Sequence, residues 1–263
     1  RPNRTPTNRR WYDDDDLTSL INISVLYHSG IKISRIASMA DDDIKIAVDS
    51  VSGEKQGEVT LISQLVIAMN TLDEAAVNNI ILRSVITMGF EETFTRVLFP
   101  FLHKAGVMWH TGSLNPAIEH FISCIIRRLL ICAADTIPET KMSDAKRCLL
   151  FLPEGEYHEL GLLFYSYLAR KKGYKVLYLG QTTPFDSVIK AAADWHPDLI
   201  ITGILSELNM AEPAGYLKRL SKDTGGTKIL ASGRFSGVAV SLNLPNILPL
   251  ENEGDFIRCI AVK

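Results

Sequence analysis

The 263-residue chain has no run of about 18 or more consecutive apolar residues and no signal-peptide pattern, which argues against a membrane-spanning helix or a secreted protein and predicts a cytoplasmic one. Its four cysteines, Cys124, Cys132, Cys148 and Cys259, lie in apolar stretches with no CxxC pair. That argues against a disulfide framework and predicts reduced core residues. Charge of one sign is also missing. Lys plus Arg number 28 against 30 Asp plus Glu, a net charge of -2, so the bulk of the chain gives no reason to expect nucleic-acid binding. No methionine opens the chain, and the abrupt start at Arg1 suggests a piece of a longer protein.

What is present is ordinary globular material, 46% hydrophobic and 22% charged, in a length that suits two or three domains. The first ten residues carry four arginines and no acid. Asp13 to Asp16 then precede a helix-period run, Leu17, Leu20, Ile21, Ile23 and Val25, that Gly30 ends. Shorter helical patterns follow at Ile33–Ala37 and Asp41–Val48, and polar Ser52–Gln56 marks a boundary. Four longer helical patterns occupy the next stretch. They are centred on Leu61–Leu72, on Ala76–Met88 with Asp73 as cap, on Phe94–Leu102 with a kink at Pro100, and on Ile118–Cys132. Short connections between them predict an antiparallel four-helix bundle.

After a polar stretch at Thr136–Thr140, strands and helices alternate. Cys148–Leu152, Tyr174–Leu179, Leu199–Ile201 and Lys228–Ala231 read as strands, with a fifth, weaker one at Asn246–Leu248 and a last helix from Asp255. This is the pattern of an α/β Rossmann-like, doubly wound parallel sheet. The expected domains are 1–51, 57–137 and 145–263.

Two clusters carry chemistry. Glu156-Tyr157-His158-Glu159-Leu160-Gly161 falls between the first strand and its helix, at the carboxyl end of the sheet where ligands bind in open α/β folds. There an imidazole can face a ligand while a neighbouring carboxylate holds its second nitrogen and fixes the tautomer. In the bundle, Trp109-His110-Thr111-Gly112 followed by Ala117-x-Glu119-His120 places an indole, two imidazoles and a carboxylate around the turn into the fourth helix. Taken singly, these residues are more often core aromatics or hydrogen-bonded helix residues. Their grouping is what singles them out.

Glu156-x-His158-x-x-Gly161 resembles the D/E-x-H-x-x-G signature of cobalamin-binding domains, in which the histidine is the lower axial ligand of cobalt. Thr202-Gly203-Ile204-Leu205-Ser206 stands where that family carries S-x-L, and Ser232-Gly233 where it carries Gly-Gly. The resemblance implies that these small residues make room for the nucleotide tail, although Thr202 adds a methyl group and Ser232 replaces a glycine. The Trp109 to His120 stretch is similar to the helical cap of cobalamin-binding MerR-type regulators, including the adenosylcobalamin photoreceptors, where the tryptophan and the Glu-His pair cover the upper face of the corrin. His110 stands beside them as a candidate for an open upper site. Arg4-Thr5, Asn8-Arg9 and Tyr12 resemble the DNA-contacting wing of the MerR-type helix-turn-helix, without the recognition helix that the family places before it. A plain basic tail accounts for the same arginines by composition.

The resemblance therefore implies a multidomain protein: a helical remnant of a MerR-type winged helix domain, a helical cap and a Rossmann-like sheet. Its expected function is not enzymatic. It is that of a transcriptional regulator that binds cobalamin, most readily adenosylcobalamin with its cobalt, with ligand state and light controlling homo-oligomerisation and the grip of the full-length protein on promoter DNA. The alternatives are a corrinoid carrier of a methyltransferase system and a sheet kept only for oligomerisation.

Overall fold

The computed structural model describes residues 3–4, 10–11, 19–20, 22–24, 26–27, 30–51, 57–111, 114–138, 145–206 and 212–261. Two compact units divide it, Arg1–Ile122 and Ser123–Lys263.

The first unit opens with an antiparallel pair of short strands, β1 (Asn3–Arg4) and β2 (Arg10–Trp11). Helical residues between 19 and 27 end at Gly30, whose φ of 90° suits glycine alone, with Ile31 N–H closing back on Leu26 O at 3.1 Å. Helices α1 (Ile33–Ile36) and α2 (Asp41–Val51) follow, and Leu26, Ile36, Ile44 and Val48 form a small core of their own. Three acids in the first turn of α2, Asp41 to Asp43, suit the positive end of its dipole. The polar boundary expected at Ser52–Gln56 lies outside the described residues.

Helix α3 (Glu58–Asn70) buries Leu61, Leu65, Val66, Ala68 and Met69, and α4 (Glu74–Met88) buries Val77 and Ile81 against it. Asp73 caps α4, its Oδ1 accepting from Ala76 N–H at 2.9 Å. Replacing Asp73 by Ala should lower stability by about 1 kcal/mol, read as a shifted urea midpoint at unchanged m-value. The third helical stretch is longer than its periodicity indicates. It runs through α5 (Phe90–Thr93), a π-helical segment Phe94–Leu98 and α6 (Phe99–His110). Pro100 lacks an N–H and its ring would strike the carbonyl four residues back. The widened π turn directly before it accommodates both, so the irregularity precedes the proline.

Helix α7 (Pro116–Asp135) spans the division between the units. Its buried stripe is Ile122, Ile125, Ile126, Leu130 and Ala134, one face at three- and four-residue steps. This corrects the cysteine expectation. Cys124 and Cys132 fall off that stripe and are exposed, Cys259 is half-buried, and only Cys148 lies in the core.

In the second unit β3 (Arg147–Pro153), β4 (Lys175–Thr183), β5 (Leu199–Ile204), β6 (Lys228–Gly233) and β7 (Ile247–Leu250) form one parallel sheet in the order β4-β3-β5-β6-β7. The intervening helices are α8 (Leu160–Lys171), α9 (Phe185–Trp195), α10 (Pro213–Asp223) and α11 (Arg234–Leu242), and α12 (Glu253–Ala261) closes the chain. Central β5 is buried throughout, as a strand covered on both faces must be. One face packs Leu149, Ile200 and Ile229 against Val188, Leu217 and Phe235, while α8 and α12 meet through the Tyr165 and Phe256 rings, 6.1 Å apart. The winding reverses between β3 and β5, so their carboxyl ends border the crevice where such sheets bind ligands.

Candidate functional site

The loop leaving β3 is shaped by a tight turn. Glu156 N–H donates to Pro153 O at 3.0 Å, and Gly155 supplies the φ of 83° that the turn needs. From β4, Thr182 Oγ1 accepts from Gly155 N–H at 3.0 Å, and Thr182 N–H donates to Glu156 O at 3.1 Å. Thr182 itself adopts a left-handed φ of 44°, rare for a β-branched residue, and these two bonds hold it there.

The Glu156 side chain, 1% exposed, turns inward across the switch point. Its Oε2 accepts from the N–H groups of Leu205 and Ser206 at 2.8 and 3.0 Å and from Ser206 Oγ at 3.1 Å. Its Oε1 accepts from His158 N–H at 2.9 Å and meets His158 Nδ1 at 2.6 Å. Burial opposes ionisation of this carboxyl, but the bonds from the His158 ring and from the Ser206, His158 and Leu205 amides outweigh it and hold the pKa well below the ordinary carboxylate range. A carboxylate at Nδ1 places the proton there, so the lone pair of the ring falls on Nε2, and the ring is 62% exposed. Among the described residues no three His, Cys, Asp or Glu side chains converge as a metal-binding group. What the loop offers a metal is a single oriented imidazole nitrogen, the donor a macrocycle-bound ion with an open axial position requires.

The surroundings combine open space with an unbonded polar atom. A Cβ added at Gly161 would meet no atom within 4 Å, so the space over the first turn of α8 is open. Thr202 is fully buried, and its Oγ1 has no hydrogen-bond partner among the described residues. A buried orphan hydroxyl of this kind is rare in a finished core and fits one awaiting a polar ligand atom. Ser232 Oγ donates to Thr202 O at 3.2 Å. Gly233 has a φ of 59°, and an added Cβ would collide with the backbone carbonyl of Ile204. Gly233→Ala should therefore cost about 1–3 kcal/mol and shift the thermal midpoint downward.

In the first unit Trp109 is half-exposed on the last turn of α6, which His110 ends; Asn115 Oδ1 caps α7 by accepting from Ala117 N–H at 2.9 Å. Glu119 and His120 stand in the first turns of α7 with Oε2 and Nδ1 3.0 Å apart. Gly112, Arg9 and Tyr12 lie outside the described residues, as does the His110 side chain, and Arg4 lies on β1.

Several participants gave no local signal. Leu205 is one, since it binds Glu156 through its backbone. Arg127 Nε and Tyr178 OH, which donate to buried Glu159 at 2.5 and 2.8 Å, are others. Gln181 Nε2, donating to Tyr157 O at 2.7 Å, is a fourth.

This arrangement of helices and a doubly wound parallel sheet is a fold shared with a solved corrinoid protein. The monomethylamine corrinoid protein of Methanosarcina barkeri superposes with a TM-score of 0.62 at 14% identity, over 78% of this chain and 98% of that one. In sequence the chain is CarH/CarA-like. It is 27% identical over 205 residues to the HTH-type transcriptional repressor CarH of Myxococcus xanthus, covering 76% of this chain and 68% of that protein. It is 33% identical over 103 residues to the repressor CarA of the same organism, covering 39% of this chain and 33% of that protein. No family model matches the chain.

Proposed function

We propose that the chain is the sensing portion of a MerR-type, cobalamin-binding transcriptional regulator rather than an enzyme. The observation that carries this reading is the His158 ring held at Nδ1 by buried Glu156 at the carboxyl edge of the sheet, in a chain similar to two transcriptional repressors. When bound, cobalamin would supply a cobalt ion able to take a protein donor and an exchangeable upper group. His158 would hold the cobalt through Nε2, and Glu156 fixes its tautomer. Thr202, Ser232 and Gly233 receive the polar tail, with Gly161 leaving room beside it. Trp109, Glu119 and His120 house the upper group, which favours the adenosyl form, and His110 is positioned in sequence to take the upper site once that group is lost. Domains 1–51, 57–137 and 145–263 then divide the work into readout, cap and cofactor-binding sheet.

Loss of the upper group, by light in this proposal, changes self-association. Assembly multiplies phosphate contacts and so sets the grip of the full-length protein on promoter DNA, through the wing carrying Arg4, Arg9 and Tyr12. Among the described residues no helix is long and apolar enough to cross a membrane. The monomethylamine corrinoid protein has the same fold, so fold alone does not separate a sensor from a corrinoid carrier. The separating experiment is incubation with adenosylcobalamin in darkness, then illumination, with absorption spectrum and solution mass recorded at each stage. A cobalamin-loaded protein whose mass changes on illumination supports the sensor. Constant mass, with the full-length protein's promoter affinity equal in every state, replaces it by the carrier.

A further inference from the structure

The residue after His158 is a second buried carboxylate, and the cofactor contacts proposed above do not use it. Glu159 is 4% exposed and stands at the N-cap of α8, yet its side chain makes no capping bond to its own helix. An acid in that position ordinarily accepts from the free amides of the first turn. Here both oxygens are committed sideways. Oε1 accepts from Arg127 Nε on α7 at 2.5 Å, and Oε2 accepts from Tyr178 OH on β4 at 2.8 Å.

The sheet is irregular at the same place. The β3–β4 register slips between the pairs Leu150–Tyr178 and Phe151–Gly180, and Gly180 takes a φ of 77°. A Cβ at Gly180 would lie in ordinary contact with Tyr178 Cε1 at 3.4 Å and Glu159 Oε2 at 3.9 Å, so the irregular strand packs directly against the carboxylate and its phenol partner, and the positive φ is what favours glycine there. Glu159 N–H meanwhile donates to Tyr157 O at 2.9 Å, drawing the His158 backbone tight between Tyr157 and Glu159. The histidine is thus pinned from two directions, Glu156 setting the ring and Glu159 setting where its backbone lies relative to α7. Arg127 follows His120 by seven residues, two helical turns on one face of the helix.

We propose that Glu159 is a positioning residue for His158, and that α7 acts on the histidine loop through the Arg127–Glu159 contact. A shift of α7 along its axis is carried by Arg127 to Glu159, and hence to the residue bonded to it in the chain. This rests on the cobalamin reading for its consequence, since the position of His158 then sets the strength of the lower axial bond.

Arg127 is half-exposed, so Arg127→Met removes the contact with little loss of packing. In the cofactor-free protein, amide exchange over 156–160 should speed up about tenfold or more as local opening becomes easier. Hydroxocobalamin affinity should fall about 10–100-fold, the range seen when an outer partner of a metal ligand is lost. With histidine labelled by nitrogen-15 and the bound cobalt reduced to the divalent state, the labelled-nitrogen splitting in the electron paramagnetic resonance spectrum should weaken. Arg127→Lys, which keeps the charge, should restore part of all three, and Arg219→Met, which breaks the exposed ion pairs of α10, should change none. Wild-type exchange in Arg127→Met overturns the proposal, as do wild-type affinity and splitting. If the wild-type protein takes up no hydroxocobalamin, the sensor reading fails instead, and the exchange measurement alone decides whether Arg127 holds the loop.

Discussion

Replacing Glu156 by Ala should destabilise the protein by about 3–5 kcal/mol, the penalty typical of removing one partner from a buried, fully bonded charge. Five donors converge on this carboxylate: the N–H groups of His158, Leu205 and Ser206, the Ser206 hydroxyl and the His158 ring. Alanine leaves them facing an apolar gap, and the loops after β3 and β5 lose the group that joins them. Glu156→Gln keeps the shape but turns an amide NH2 toward donors, and should cost about 1–3 kcal/mol. The effect also depends on pH. The folded-state pKa of Glu156 lies below its ordinary value of 4.5, so its stabilisation is fully present above that value and is lost as the pH falls beneath it. Urea unfolding across a pH series should show a constant gap between wild type and Glu156→Gln above about pH 5, narrowing in acid. A gap that is absent at neutral pH, or that widens in acid, contradicts the geometry.

The alternation of apolar runs and helical periods from Cys148 onward was enough to read the doubly wound sheet, because each strand and helix is defined by neighbours within ten residues. Strand ends were less legible. β4 continues through Gln181, Thr182 and Thr183, polar residues that sequence reading assigns to a loop, because Thr183 pairs with Pro153 of β3 and the Glu156 backbone holds Thr182. Glu156 and His158 were readable as a pair because they sit two residues apart on one loop. Leu205 and Ser206, 49 and 50 residues away, reach Glu156 only because β5 lies beside β3 in the sheet. The same holds for Arg127 and Tyr178, which are 32 and 19 residues from Glu159. Strand order is a tertiary property, and local periodicity does not encode it. Cys124 and Cys132 show the converse. An apolar stretch alone predicts core, whereas on α7 the helical spacing of Ile122, Ile125, Ile126, Leu130 and Ala134 decides which face is buried.

His158→Ala should separate ligation from folding. The ring is largely exposed and contributes one bond to Glu156, which retains the His158 backbone N–H and the three donors from Leu205 and Ser206. The stability loss should be only about 1 kcal/mol, well below that of Glu156→Ala. Cobalamin binding should respond in the opposite order of magnitude. Loss of an outer partner costs a metal site about 10–100-fold, and loss of the donor atom itself should exceed that range. Hydroxocobalamin titration of the two variants therefore gives a two-by-two test: Glu156→Ala weakens folding strongly, and His158→Ala weakens binding strongly with folding nearly intact. Free imidazole, small enough to enter the vacated space, should restore part of the lost affinity to His158→Ala and add none to wild type, whose own ring already fills that space. Unchanged affinity and spectrum in His158→Ala would remove His158 as the axial donor. The largely exposed ring would then be an ordinary surface feature of the loop, and the buried Glu156 network would have only its structural role in joining β3 to β5.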